Sequence, residues 1–243
     1  MSANHKAPLS DFYSTKTEFD EFGFAGPFPL DNKELAIQLM NEYPDFCDRP
    51  YGRHRDVVAV RNVLMDTSLR NKLYELCSND LFLWRTNFFM KVPGSQEIGW
   101  HHDKHFQSAE VDEIDFTEIS SHFSVCMALE DMTDSNGSLE VILGSHVDLP
   151  DYTRDKRPYY SRPVDDHFTD AIPDRYLEKR RLVQIRTGEF LVFHSALMHR
   201  SLPYESGPPR VSFVSRYIDK KVSIPEPLRS KLSVMEFSAG SEK

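Results

Sequence analysis

Cysteine is scarce in this chain, and its placement excludes two architectures. Cys47, Cys77 and Cys126 are odd in number and none belongs to a C-x-x-C pair, so neither a disulfide framework nor a thiolate zinc site is expected. Long apolar runs are missing as well. The longest, such as FLVF at 190–193, are strand-length, far short of the roughly 20 residues of a membrane span. The opening stretch MSANHKAPLSDFYSTK has no apolar signal core. Positive charge is in deficit, with 38 acidic against 29 basic residues and a formal net charge of −9. Such a balance disfavours nucleic acid and anionic membrane surfaces as partners. The expectation from these absences is a soluble, cytoplasmic protein that binds neither nucleic acid nor membrane.

Nothing in the Pro and Gly spacing marks a domain break, and no repeat is present. A chain of 243 residues can bury one substantial core, so a single domain over residues 1–243 is expected. Residues 81–92, 122–131, 137–143, 181–193 and 210–218 are aromatic or β-branched runs bounded by turn formers such as PGS, DSNGS and ESGPP, which predicts strands. Ahead of them, DNKELAIQLMNEY and SLRNKLYELC carry helical apolar spacing, with Asp31 and Ser68 as candidate N-caps. Helices followed by many short strands predict a mainly β fold, a sandwich or open barrel propped on N-terminal helices. The polar, Pro- and aromatic-rich stretch at 145–181 is too long for an ordinary connection and reads as a lid insertion.

The densest cluster of chemistry is EIGWHHDKHF at 97–106. His101 and Asp103 are two apart, so on a strand they share one face while His102 points to the other. A third ligand is needed, and GEFLVFHSALMHRS offers His194 or His199 after a predicted strand. Two imidazoles and one carboxylate on one face of a metal leave positions open for other ligands, the facial triad of non-haem Fe(II) oxygenases. Arg210 stands eleven residues after His199 and opens the RVSFVSRY strand. Alternation puts Arg210, Ser212, Val214 and Arg216 on one face, where a guanidinium and a hydroxyl can meet the carboxylate of a dicarboxylate co-substrate. The same ligands would suit a zinc hydrolase on a similar barrel, but that alternative leaves Arg210 without a role. His102 and His105 read as residues outside the ligand set.

The motifs WHHD, SNGSLEVILGSH and GEFLVFHSALMHRS, with the arginine at plus eleven, together resemble the phytanoyl-CoA dioxygenase superfamily of Fe(II)/2-oxoglutarate oxygenases. The resemblance runs from about Gly23 to Tyr217. Within it, GFAGPF, WRTNFFMKVPG and SRY are similar to the branch containing syringomycin-type amino-acid halogenases. This implies a double-stranded β-helix, the jelly-roll or cupin-like core, with Fe(II) held by His101, Asp103 and His199. Arg210 and Ser212 would bind 2-oxoglutarate, O2 would be the co-substrate, and Arg216 would sit close behind the metal. His194 becomes a wall or supporting residue. The halogenases carry Ala or Gly where this chain keeps Asp103, so the resemblance implies hydroxylation rather than halide transfer, with desaturation as an alternative outcome.

For the substrate, Asn87 stands where those halogenases carry an acid that meets an amine; Glu97, Asp165 or Asp166 would otherwise take that role. His146 and Trp100 are further candidate contacts, although Trp84 and Trp100 are first of all packing residues. The expected reaction is hydroxylation of an unactivated C–H bond in a small molecule, with a free amino acid, lysine or another basic one, as the leading guess. A carrier-protein-tethered aminoacyl group is the alternative, disfavoured because carrier domains are commonly acidic and so is this chain.

Overall fold

Thr15 and Glu18 cap one another and so start the first helix: the Thr15 hydroxyl accepts from the Glu18 N–H while the Glu18 carboxylate accepts from the Thr15 N–H. The computed structural model describes residues 14–103, 122–147, 172–224, 226, 229–230 and 234–238. Helix α1 (Lys16–Phe22) ends at Gly23, in the left-handed region at φ 84°, and leads into β1 (Phe24–Pro29). Helices α2 (Glu34–Glu42), α3 (Val58–Leu64) and α4 (Thr67–Leu76) follow.

Both expected caps are displaced. The N-cap position of α2 is Lys33, which makes no side-chain capping bond, and Asp31 lies outside it. The N-cap of α4 is Asp66, whose carboxylate accepts from the Leu69 N–H and also from the Asp31 and Asn32 N–H groups. A carboxylate that satisfies three backbone donors is the stronger cap. Ser68 instead donates its hydroxyl to the Pro29 carbonyl.

Among the described residues ten strands form two sheets, and every pairing between them is antiparallel. The larger has the order β1-β7-β4-β9-β2-β10, with β2 (Asp80–Lys91), β4 (His122–Ala128), β7 (Glu189–His194), β9 (Arg210–Asp219) and β10 (Met235–Ser238). The smaller has the order β3-β8-β5-β6, with β3 (Ile98–His101), β5 (Leu139–Ile142), β6 (Arg180–Val183) and β8 (His199–Ser201). This is the expected jelly-roll core with helices before it. A short helix α5 (Asp174–Leu177) precedes β6.

The run expected as one strand at 181–193 is two, assigned to different sheets. Gly188, at φ 79°, breaks it, and its Cα packs where a Cβ would stand 2.9 Å from Lys33 Cβ. The Glu189 N–H closes the turn onto the Arg186 carbonyl at 2.9 Å.

Strand alternation sorts the core from the site. Val211 and Phe213 of β9 join Val125, Met127, Phe190 and Val192 in a cluster that also takes in Leu39, Val63, Leu69 and Leu73 of the helices. The intervening residues Arg210, Ser212, Val214 and Arg216 line a cavity instead. Most of the expected lid, residues 148–171, lies outside the described residues, as do His105, Asp165 and Asp166. Among the described residues no helix is long and apolar enough to cross a membrane. All three cysteines are free.

Candidate metal centre and anion pocket

The cavity has a volume of about 500 Å³, and His101, Asp103 and His199 stand together in its wall. Residues 101 and 199 are cross-strand partners on β3 and β8, with ring centroids 4.2 Å apart. Each imidazole is fixed in the same way. His101 Nδ1 lies 2.7 Å from the Gly99 carbonyl and His199 Nδ1 lies 2.9 Å from the Leu197 carbonyl. A carbonyl oxygen only accepts, so both Nδ1 atoms carry the proton and both Nε2 lone pairs are available, the arrangement typical of metal-binding histidines.

Asp103 follows β3 and is held by its backbone N–H, which donates to the Ser195 carbonyl at 2.7 Å. Its Oδ2 accepts from Ser124 Oγ at 2.9 Å and from Arg216 Nε at 3.2 Å, and its Oδ1 accepts from Arg216 Nη2 at 3.2 Å. Burial by itself would push this carboxyl up, but Arg216, His199 and His101 outweigh it and hold the group well below the usual carboxylate range. One ligand atom from each of His101, Asp103 and His199 lies within 4.8 Å of the others. His101, Asp103 and His199 are thus the residues that would hold one cation between them. Two imidazoles presenting Nε2 and one ionised carboxylate suit a divalent transition metal such as Fe(II).

A second constellation lies along β2 and β9. Arg210 is buried and donates from Nε to the Asn136 carbonyl at 3.3 Å, from Nη1 to Ser212 Oγ at 3.3 Å, and from Nη2 to the Gly137 carbonyl. Burial pulls this guanidinium below its ordinary value. Lys91 pairs with it across the strands. Asn87 Oδ1 accepts from Arg85 Nε at 3.1 Å and Arg216 Nη1 at 3.2 Å. Phe89, Cys126, Leu139, Phe193 and Val214 supply apolar wall, and burial raises the Cys126 thiol to about 12, which keeps it neutral.

Not every residue singled out in the sequence reaches the cavity. Phe193 lines it, so by alternation His194 lies on the opposite side of β7. There it is stacked between Phe19, at 4.5 Å and 21°, and His146, at 4.6 Å and 16°. His146 Nε2 meets the Asp20 carbonyl at 3.0 Å. Glu97 pairs with Arg200 at 3.0 Å, and Arg200 covers the buried Trp100 ring at 4.9 Å. Among the described residues, then, His194, His146, Glu97 and Trp100 are packing or ion-pair residues around the site, while Asn87, Arg210, Ser212 and Arg216 line it. Sequence reading passed over Tyr51, Arg85, Lys91 and Ser124. Period-two spacing from Asn87 was the available signal for Arg85 and Lys91.

Comparison with known proteins agrees with this geometry. The family model of phytanoyl-CoA dioxygenase (PhyH) matches residues 11–212. Phytanoyl-CoA dioxygenase 1 of Oryza sativa subsp. japonica is 29% identical over 223 residues, covering 89% of this chain and 72% of that protein. Among solved structures, the non-heme alpha ketoglutarate dependent carbocyclase SnoK from nogalamycin biosynthesis is similar with a TM-score of 0.71 at 17% identity, over 94% of this chain and 93% of its own. CytC3 with Fe(II) and alpha-ketoglutarate gives 0.62 at 20% identity, over 89% and 80%. At these identities the structural likeness speaks to the fold, whereas the family match spans most of the sequence, including both histidines and Asp103. The chain belongs to the phytanoyl-CoA dioxygenase (PhyH) family.

Proposed function

We propose that this protein is an Fe(II)- and 2-oxoglutarate-dependent hydroxylase of an unactivated C–H bond in a small molecule. The observation that carries the reading is the convergence in one cavity of the His101, Asp103 and His199 donors with the buried Arg210. The iron and 2-oxoglutarate bound by CytC3 are the chemistry these residues fit. Bound Fe(II), with 2-oxoglutarate and O2, supplies the oxidising power for C–H cleavage. The chain's own residues do the rest. His101, Asp103 and His199 hold the ion, Arg216 and Ser124 fix the carboxylate, and Arg210 with Ser212 binds the distal carboxylate of the co-substrate. Phe89, Leu139, Phe193 and Val214 exclude water from the reacting face. Asp103 puts a carboxylate where a halide would otherwise bind, which supports hydroxyl transfer over halogenation.

The wall also bears on substrate class. Among the described residues lining the cavity, Arg85, Lys91, Arg210 and Arg216 face a single carboxylate, Asp103. That excess supports a substrate with an acidic group, such as the carboxylate of a free amino acid. It offers no described partner to the ammonium of a basic side chain, so the lysine expectation widens to amino acids in general. The test is anaerobic addition of 2-oxoglutarate to Fe(II)-loaded protein, followed by a screen of amino acids for succinate release stimulated by substrate. A visible charge-transfer band and 2-oxoglutarate-dependent O2 uptake are expected. Absence of both, with hydrolysis supported by Zn(II), would favour the hydrolase instead.

A further inference from the structure

Asn87 lies on the cavity-facing row of β2, with Arg85 two residues before it on the same face. It is 2% exposed, and its backbone is held on both edges, paired with Val214 of β9 on one and bridged to Tyr51 on the other. The Gly52 N–H donates to the Thr86 carbonyl at 2.8 Å and the Phe88 N–H to the Pro50 carbonyl at 2.9 Å, which clamps the strand on either side of residue 87. The side chain has one orientation. Its Oδ1 accepts from Arg85 Nε at 3.1 Å and from Arg216 Nη1 at 3.2 Å. A guanidinium only donates, so turning the amide over would set its NH2 against two other donors. The amide nitrogen has no hydrogen-bond partner among the described residues. Nor is it one of the unpartnered polar atoms sealed from solvent, so it opens onto the cavity that the side chain lines.

Beside the apolar wall of Phe89, Phe193 and Val214, N–H groups that face the cavity favour a ligand that brings an acceptor oxygen. The charge of Arg85 next to them favours an anionic one. We propose that Asn87 is a specificity-determining residue that donates from its amide NH2 to a carboxylate of the substrate, with Arg85 supplying the adjacent positive charge. This rests on the oxygenase reading above and gives its acidic substrate a place in the cavity. The sign is the reverse of amine recognition: the amide presents donors to the cavity and spends its oxygen within the wall.

This site is distinct from the one for the co-substrate's distal carboxylate. Arg210 is opposite position 91 of β2 and Val214 is opposite position 87, so the two lie roughly 13 Å apart along the strands. A substrate carboxylate at Asn87 and Arg85 therefore leaves the Arg210 end to 2-oxoglutarate. An ammonium at the same place would meet N–H donors and a guanidinium, which disfavours it twice.

The experiment uses probes that share one carbon chain and differ in head group: pentanoate, pentanamide and pentylamine. Each is added without O2 to protein saturated with Fe(II) and 2-oxoglutarate. Calorimetry reads probe binding, and a titration of the visible band reads 2-oxoglutarate affinity. The parent should bind pentanoate about tenfold more tightly than pentanamide or pentylamine. Asn87→Asp keeps an oxygen for Arg85 and Arg216 but turns a second oxygen to the cavity. It should weaken pentanoate about tenfold to a hundredfold and strengthen pentylamine, with 2-oxoglutarate affinity within a few-fold of the parent. Arg85→Gln should weaken pentanoate about tenfold and leave pentanamide unchanged. A parent that binds none of the probes, or binds pentanamide or pentylamine as tightly as pentanoate, would overturn the proposal. So would an Asn87→Asp protein that keeps the parent's preference, or whose loss falls on 2-oxoglutarate rather than pentanoate. If Asn87→Asp does not fold, the parent and Arg85→Gln still decide, and an unchanged pentanoate affinity in Arg85→Gln counts against the proposal. A parent that shows no band with 2-oxoglutarate is a different result: it defeats the oxygenase reading itself.

Discussion

Arg216 grips Asp103 with two parallel bonds, Nε to Oδ2 and Nη2 to Oδ1, each 3.2 Å, in a pair whose side chains are no more than 5% exposed. The fork fixes the plane of the carboxylate, and Ser124 completes the restraint from β4. Arg216→Met would leave a buried carboxylate without its countercharge. A stability loss of about 3–5 kcal/mol is expected in urea denaturation of the metal-free protein. Fe(II) affinity should also fall, measured by anaerobic titration. Unchanged iron binding would mean that Asp103 keeps its orientation without Arg216.

The two candidate histidines separate cleanly in their surroundings, so their variants should separate too. His199→Ala and Asp103→Ala each remove one of three protein ligands, and Fe(II) binding should be lost with turnover. His194→Phe keeps an aromatic ring between Phe19 and His146, a type of contact worth about 0.5–1.5 kcal/mol. It should retain iron and succinate production within a few-fold of the parent. Loss of iron from the His194 variant, with retention in His199→Ala, would reverse the assignment.

Gly137 and Gly94 share φ 84° but not their surroundings. Nothing lies within 4 Å of a Cβ at Gly94, whereas one at Gly137 meets Lys91 Cδ at 2.5 Å and the Leu202 carbonyl at 2.9 Å. Both Ala variants incur backbone strain of about 1–3 kcal/mol. Only Gly137→Ala should also weaken 2-oxoglutarate binding, because it displaces Lys91 and the carbonyl that receives Arg210. Comparing the two in denaturation and in the band titration isolates the crowding. Equal affinities would show that the turn plays no part in shaping the anion pocket.

Much of this was legible in the sequence, for a physical reason. The β9 stretch alternates strictly, so Arg210, Ser212, Val214 and Arg216 could be placed on one face from spacing alone, and all four line the cavity. The i, i+2 spacing singled out His101 and Asp103, although Asp103 lies beyond the end of β3 and is placed by its N–H bond to the Ser195 carbonyl, and His199 joins them through the pairing of β3 with β8. What failed depended on contacts distant in sequence. Asp66 caps α4 while also serving backbone donors at residues 31 and 32, which no local pattern reveals. The break between β6 and β7 required reading Gly188 as a left-handed turn. Lys91 faces Arg210 only once the register of β2 on β9 is known, and the role of His194 depends on which face of β7 it occupies.

His122 opens β4 and is 2% exposed, beside the Trp84 ring at 5.6 Å. Burial, only partly opposed by Asp103 and reinforced by Arg216, lowers it to about 3. An unfolded histidine titrates near 6.5. Between those two values the unfolded chain binds a proton that the folded chain does not, so stability falls as pH falls, by up to about 1.4 kcal/mol per pH unit. Asp103 has the sign of a depressed carboxylate: its contribution is intact above the unfolded value near 4 and is lost only below it. A comparison of about pH 7 with about pH 5 therefore leaves Asp103 out, and since burial lowers His146 as well, the difference between the parent and a His122 variant gives the share of His122. In urea denaturation of the metal-free protein, His122→Phe should lose less stability across that interval than the parent does. Identical losses in parent and variant would show that His122 is protonated in the folded protein, and that the interior beside Asp103 is wetter than the packing around Trp84 implies.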